Sequence, residues 1–235
     1  KGVNAHAVDA QFGTTNLKDL LLTSTGKFSS GIYSSSQVNG ENLIINTEGV
    51  NAHGINASLG GVVDIKNVEL STKGANAVGL LSNAGSTIKA DNLQLMTSSN
   101  DAHALWVRSG TANISNSTLT TTGTNSWGIV ATAASAGAGS SISMDNVRLD
   151  AQKSTAIETL GAPLDLNLQN GTQVTGGNGI LLDSLAGNTT DPLYSGNVSL
   201  KATGDVVLTG DIRTSTANLV DVALAKNSSL TGKIS

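Results

Sequence analysis

The chain has no cysteine, only two prolines among its 235 residues, and an aromatic content of 3%. A chain without cysteine forms no disulfide and fits a secreted bacterial protein, although a cytosolic protein can also lack cysteine. With so few large rings, the apolar core has to come from Ala, Val, Ile and Leu, interleaved with Ser, Thr and Asn. Such a chain must repeat small aliphatic contacts many times, as a stacked sheet does.

Charged residues are also scarce, at 13% of the chain, and the formal net charge is −4. This balance provides no basic surface for nucleic acid or for anionic lipid, so neither is expected as a partner. The sequence has no run of about 18 apolar residues that would span a membrane as a helix. No signal peptide is recognisable and Lys1 lies in the middle of a repeat, so we expect the ends to be processing boundaries.

What the sequence does contain is a repeat. The segment 49–55 returns at 74–80, and the segments 2–8 and 123–129 follow the same pattern. Each copy carries a small residue followed by an aliphatic one, and the steps between copies run from 23 to 28 residues. The aliphatic members of this column are Val8, Ile32, Ile55, Leu80, Leu105, Ile129, Ile157 and Ile180.

The apolar pattern inside each copy has a period of two, as at Val8, Ala10 and Phe12, which indicates strands rather than helices. Short strands at a repeat near 24 residues, separated by Gly and Asn turns, are what a three-strand coil requires. A propeller blade would need about 40 to 50 residues, and leucine-rich repeats would carry several leucines per copy. The sequence therefore predicts an all-β fold, a right-handed parallel β-helix of about nine coils with three strands per coil.

A second column lies half a repeat away and is occupied by Asn42, Asn67, Asn92, Asn116 and Asn146. Asn tolerates left-handed backbone dihedrals, and its amide can bond from one coil to the next, so we expect these residues to stack at a turn. Two stretches, 133–141 and 186–195, lengthen their coils. Extra residues of that kind are expected to form protruding loops.

These columns resemble the passenger domains of bacterial autotransporters, of the pertactin and self-associating adhesin kind. The phrase Gly-x-Asn-Ala-x-Gly-Ile at 49–55 is common in that family, and the segments 156–159, 163–169, 204–212 and 221–225 look like the last coils of pertactin. The resemblance implies one β-helix over residues 1–235, with C-terminal coils near 156–235. It also implies secretion through the outer membrane, with a translocator barrel beyond Ser235 as the membrane attachment. The chain has no Arg-Gly-Asp motif, so integrin-type recognition is not carried over.

The three histidines, His6, His53 and His103, share one repeat position on alternate coils. Residues two coils apart lie roughly 10 Å from each other, whereas the ligands of one zinc must each lie about 2 Å from it. A shared metal site is therefore excluded in a regular rod, and we interpret the histidines as structural.

The residue after each aliphatic position should point outward. That column reads Asp9, Tyr33, Asn56, Leu81, Trp106, Val130, Glu158 and Leu181. Its middle part places apolar and aromatic residues where polar ones are expected, and such patches often mark contact surfaces. The candidate ligand-binding residues are Tyr33, Asn56, Leu81, Trp106 and Val130. The alternative is that a neighbouring loop, such as 133–141, covers them.

No enzyme is predicted, since no pair of carboxylates lies in a tight motif with a histidine or a third acid. Asp64 with Asp91, and Asp145 with Asp150, are the nearest approaches to such a pair. No catalytic residue, cofactor or metal is expected. The expected function is that of a surface adhesin for host or abiotic surfaces, or for cell–cell aggregation and biofilm formation. Its expected partners are host glycans, matrix proteins or another copy of the chain. The alternatives are a glycan- or matrix-binding module that uses the aromatic column, and a polysaccharide-degrading β-helix.

Overall fold

The computed structural model describes residues 2–135, 137–185, 195–216 and 218–235. In these ranges the chain forms strands and no helix, and so no segment there could cross a membrane as an apolar helix. The strands, in chain order, are β1 (Val8–Ala10), β2 (Thr14–Ser24), β3 (Ile32–Ser34), β4 (Gln37–Thr47), β5 (Ile55–Ala57), β6 (Val62–Thr72), β7 (Leu80–Asn83), β8 (Thr87–Thr97), β9 (Leu105–Arg108), β10 (Thr111–Ser115), β11 (Thr118–Thr121), β12 (Ile129–Thr132), β13 (Ser140–Asp145), β14 (Arg148–Ala151), β15 (Ile157–Leu160), β16 (Leu164–Gln169), β17 (Gln173–Leu185), β18 (Val198–Thr203), β19 (Val207–Thr214), β20 (Val220–Leu224) and β21 (Ser229–Thr231).

All pairings among these strands are parallel, and each strand pairs with its equivalent in the next coil. The result is an all-β parallel solenoid of about nine turns, as the repeat predicted. Parallel strands joined by crossover connections wind right-handed in nearly all proteins, which makes that the expected hand. Adjacent rungs of such a sheet are about 4.8 Å apart, so nine coils give a rod on the order of 40 Å long.

Each coil has three faces. The first face is made by the short strands β1, β3, β5, β7, β9, β12 and β15, and the second and third faces follow as two strand segments joined at a corner. In the first four coils these two segments form one bent strand, as in β6, with Asn67 at φ 55° inside it. In the next two coils the chain breaks at the same corner into β10 and β11, and into β13 and β14.

The asparagine column lies at that corner and adopts left-handed φ at all five predicted positions. Asn67 donates its Nδ2 to the Asn42 side-chain oxygen at 3.1 Å, and Asn92 donates to Asn67 at 2.9 Å. The ladder continues beyond the predicted set, because Asn42 donates to Asp19 and Asn170 to Asp145. The predicted coil-to-coil amide bonding is therefore confirmed.

The interior is a continuous aliphatic ladder on the first face. It runs through the predicted residues from Val8 to Ile157 in register, and most of them are fully buried. The last predicted member, Ile180, is wrong: Ile157 pairs with Leu182, and the ladder goes on to Ile212. The register of β17 is irregular between Thr175 and Leu182. The pair Gly179-Ile180 therefore matches the repeat in sequence but does not occupy the ladder position in the structure.

Threonine hydroxyls satisfy backbone carbonyls inside the rod. Thr47 donates to the Ala52 carbonyl at 2.9 Å, and Thr97 donates to the equivalent Ala102 carbonyl at 2.7 Å. Both side chains are fully buried. Buried polar groups are costly unless they are paired, and these bonds offset that cost at Thr47 and Thr97. The hydroxyl of Thr72, on the rung between them, is buried without a hydrogen-bond partner among the described residues.

The first of the two predicted insertions forms a loop between β12 and β13. It bonds to the preceding coil through Ser109, whose hydroxyl donates to the Ala138 carbonyl at 3.1 Å. The Ala134 amide in turn donates to the Ser109 hydroxyl at 2.7 Å. The second insertion lies, apart from Ser195, outside the described residues.

Candidate binding surfaces

The predicted outward column does form one line on the first face. Tyr33, Asn56, Leu81 and Trp106 occupy consecutive rungs in register, and all four are half-buried. Val130 follows Trp106 in register but is only 5% exposed, so it offers little surface to a partner. The end of the column also differs from prediction, because Glu158 pairs with Asp183 while Leu181 is buried.

Aromatic contacts cover part of two members of the column, Tyr33 and Trp106. The His6 and Tyr33 rings stack at 5.0 Å between centroids, and the His103 and Trp127 rings stack at 4.6 Å. Trp106 meets His103 edge-on, and its indole N–H donates to the Thr132 hydroxyl at 2.8 Å. Packing and this hydrogen bond therefore hold the Trp106 ring in one orientation. Sequence reasoning missed Trp127 as part of this cluster, although it lies in the histidine column.

The histidines are structural, as predicted, and each caps the backbone of the next coil. His6, His53 and His103 accept through Nδ1 the amide N–H groups of Ser30, Val78 and Trp127, at 2.9, 3.0 and 3.2 Å. An Nδ1 that accepts a hydrogen bond belongs to a neutral ring protonated at Nε2. Burial lowers the pKa of His53 and of His103 to about 4, and also lowers that of His6.

One carboxyl pair lies on the first face beyond the aromatic cluster. Burial, followed by the charge of Asp183, raises the pKa of Glu158 to about 7. Desolvation disfavours the charged form of a carboxyl, and a like charge one rung away adds to it. Sequence reasoning missed the pair because the irregular register of β17 hides which residue follows Glu158. Asp145 and Asp150, considered earlier as a pair, lie on β13 and β14, on either side of the Asn146 corner.

The second face carries a surface that sequence reasoning did not single out. We call it the charged face, and define it by the outward residues of β2, β4, β6, β8, β10 and β13: Asn16, Lys18, Asn39, Glu41, Asp64, Lys66, Lys89, Asp91, Asn113, Ser115, Ser143 and Asp145. One column of this face reads Lys18, Glu41, Lys66 and Asp91 in consecutive rungs. The repeat spacing of these alternating charges was the pattern that would have revealed the face.

Its centre is a quartet with opposite charges on adjacent rungs. Asp64 lies across from Lys89, and Lys66 across from Asp91. Asp64, Lys66 and Lys89 are exposed and Asp91 is half-buried, and among the described residues none of the four forms a salt bridge within 4 Å. One turn earlier, Lys18 and Glu41 do pair, at 3.2 Å. The quartet therefore presents three exposed charges and one half-buried charge, none of them in a salt bridge with a described residue.

Hydrogen bonds fix the charge state of one member of the quartet. Asp91 accepts hydrogen bonds from Asn116 at 2.8 Å and from Ser115 at 2.9 Å, and these lower the pKa of its carboxyl. Donors to a carboxylate favour its ionised form. Asp91 is thus a fixed negative charge at neutral pH, held in position by the next coil.

The third face has a shallow apolar groove, where Ile44 and Met96 are 45% and 50% exposed beside Glu69 and Gln94. In the described part of the chain, no group of three or more His, Cys, Asp or Glu side chains is placed to hold a metal ion. Comparison of the chain with protein-family models and with curated proteins gave no match. The resemblance to autotransporter passengers therefore stays a prediction.

Proposed function

We propose that this chain is an adhesive rod, displayed on a bacterial cell surface, that binds a second copy of itself through the charged face. Contacts between rods on neighbouring cells would produce aggregation and biofilm growth. The bacterial surface location rests on the resemblance to autotransporter passengers. The homotypic contact rests on one observation, the self-complementary charge pattern of the quartet.

The complementarity is geometric. Two rods can meet face to face and antiparallel, related by a two-fold axis that runs along the strands, midway between the rungs of β6 and β8. In that arrangement each column of the charged face lies opposite the same column of the second copy, with its rungs in reverse order. Asp64 then faces Lys89 of the second copy, and Lys66 faces Asp91 of that copy. An isologous interface repeats each contact twice, so the quartet supplies four ion pairs.

The match extends beyond the quartet. On the outermost rungs of the charged face, Lys18 faces Asp145 of the second copy, which adds two further pairs of opposite charge. These pairs are weaker than those of the quartet, because Lys18 already pairs with Glu41 and Asp145 already accepts from Asn170 in its own rod. Between them Asn39 faces Asn113, and Glu41 faces Ser115. Across six coils this arrangement brings no two like charges together, which favours the pairing over arrangements that oppose like charges.

The energy of such an interface is modest. Exposed ion pairs contribute about 0.2–1 kcal/mol each, so six pairs provide about 1–6 kcal/mol, comparable with the cost of about 4 kcal/mol or more for bringing two molecules together. Isolated rods should therefore associate weakly. Many rods on two surfaces would bind together through avidity, and salt would weaken the contact by screening.

The test is a charge swap measured with coated beads of two colours. Asp64→Lys beads should not aggregate with one another, because the introduced lysine faces Lys89, and Lys89→Asp beads should fail likewise. Mixed together, the two variants should co-aggregate as the wild type does. In the mixed contact the introduced lysine faces the introduced aspartate, and the symmetry-related pair is unchanged. Each single change should reduce self-aggregation at least about five-fold at low salt, as the loss of about 1 kcal/mol in a repeated contact implies.

Glu69→Lys is the matched control, since it reverses a charge on the third face of the same coil. It should aggregate as the wild type does. The proposal fails if Asp64→Lys aggregates normally, or if the mixed variants aggregate no better than each alone.

A second candidate is supported by the aromatic cluster. Trp106 is held by Thr132 and by the His103 edge with part of its ring open, and such a fixed ring suits stacking on a host glycan or a matrix protein. Trp106→Ala should then abolish binding to a glycan panel, whereas Thr132→Val, which keeps the ring, should retain most of it. Equal binding by the wild type and Trp106→Ala would exclude this site.

A further inference from the structure

Three histidines on alternate coils each hold the backbone of the coil that follows. The accepted amides belong to Ser30, Val78 and Trp127, on the second, fourth and sixth coils. The two residues that follow each of these amides along the chain pair with a neighbouring coil through backbone hydrogen bonds. After Val78, for example, the Gly79 amide donates to the His103 carbonyl at 2.9 Å. The imidazole nitrogens are therefore part of the coil-to-coil bonding of the first six coils.

Protonation reverses the role of each of these nitrogens. A neutral imidazole accepts through Nδ1, but an imidazolium carries hydrogen on both nitrogens and can only donate. Each protonated Nδ1–H would then point at a backbone N–H group roughly 3 Å away. Two donors facing each other lose the hydrogen bond and also leave a buried amide unsatisfied.

The surroundings of the rings give protonation little support. Among the described residues, the charges that act on them are Asp9 beside His6, Asp101 beside His103, and His6 itself on His53. The two carboxylates favour protonation, but burial outweighs them. Stacked aromatic rings, Tyr33 on His6 and Trp127 on His103, limit the movement of two of the three.

We propose that His6, His53 and His103 form an acid-sensitive latch that holds the first six coils together at neutral pH and loosens them in acid. The remaining coils contain no histidine, so the rod would loosen at one part only. The inference is independent of the adhesive function proposed above.

The direction of the pH dependence follows from the pKa values. His53 and His103 titrate at about 4 when the coils are closed, whereas an exposed histidine titrates near 6.5. Between these values the opened coils bind protons that the closed coils do not. The closed state is therefore fully stable above pH about 6.5, loses stability down to about 4, and changes no further below that. Opening increases by up to about ten-fold per pH unit for each histidine.

Hydrogen exchange of the intact chain, corrected for intrinsic exchange chemistry, tests this at pH 7 and pH 5. Amides of β7 and β12 should open at least about ten-fold more at pH 5, and those of β3, which follow His6, should also open more. Those of β16 and β18, which carry no histidine, should keep their protection. A uniform change along the whole rod would contradict the latch.

The matched variant is His53→Asn with His103→Asn. The asparagine side-chain oxygen can accept the same amide N–H, but it gains no proton. Its acid response at β7 and β12 should disappear while its protection at pH 7 is kept, and an unchanged acid response at these two strands would overturn the proposal. Ring-proton NMR of the wild type tests the proposal independently of that variant. The His53 and His103 signals should not move between pH 8 and pH 5.5, and titration near 6.5 would overturn the proposal.

Discussion

The first six coils and the last three are built on the same strand pattern but differ in regularity. Rungs of the aliphatic ladder are 23 to 25 residues apart from Val8 to Ile129. From Ile129 through Ile157 and Leu182 to Ile212, the steps are 28, 25 and 30 residues. The histidine column, the charged quartet and most of the asparagine ladder lie in the regular part.

The difference shows what regular spacing is needed for. Backbone pairing survives insertions, because the extra residues leave the coil at a corner, as the loop between β12 and β13 does. Side-chain ladders depend on register, since an amide or an imidazole reaches only the equivalent position one rung away. The asparagine ladder also passes the insertion, because Asn146 donates to Asn116 at 2.9 Å across a step of 30 residues. The side-chain columns therefore require aligned rungs rather than coils of equal length.

The largest effect should come from removing a core rung in the regular part. Leu105→Ala truncates a fully buried side chain that lies between Leu80 and Ile129, and should cost about 2–5 kcal/mol of unfolding free energy in urea denaturation. Ile234→Ala, at the 62% exposed last rung, should cost under about 1 kcal/mol. Equal losses for the two variants would mean that the ladder is not the main source of stability.

A smaller effect should come from the asparagine ladder. Asn67→Ala removes amide bonds to Asn42 and Asn92 and places alanine at φ 55°, so it should cost about 1–2 kcal/mol in urea denaturation. Asn67→Gly keeps the left-handed backbone and removes only the amide bonds, and should cost less than the alanine variant. Both variants lose the same amide bonds, so a glycine variant that costs as much as alanine or more would mean that the left-handed backbone conformation does not contribute to the loss.

The sequence predicted the rod because its signature is local and repeated. A small residue before Ile55, Leu80 or Leu105 marks the ladder, and Asn67 or Asn92 marks the corner. The sequence pattern placed Ile180 in the ladder wrongly. A register irregularity depends on how a coil packs on its neighbours, and no local sequence pattern records that packing. The same failure displaced Leu181 from the outward column and hid the pairing of Glu158 with Asp183.

The binding surfaces were less predictable than the fold. Tyr33 and Trp106 face outward as expected, but how far they are buried depends on the stacking of His6 and His103, which lie in a different column. The charged face was readable in principle from Lys18, Glu41, Lys66 and Asp91. Its self-complementarity emerges only when two columns are set side by side at the spacing of the rungs.

Cross-linking through introduced thiols tests the antiparallel contact most directly, because the chain has no cysteine of its own. Asn39 and Asn113 are three rungs apart in one rod, roughly 14 Å, but face each other across the antiparallel contact. Beads coated with Asn39→Cys and with Asn113→Cys, mixed and treated with a short thiol cross-linker, should give linked dimers that contain one chain of each variant. Linked dimers of Asn39→Cys alone, or no mixed dimers while the beads still aggregate, would contradict the account.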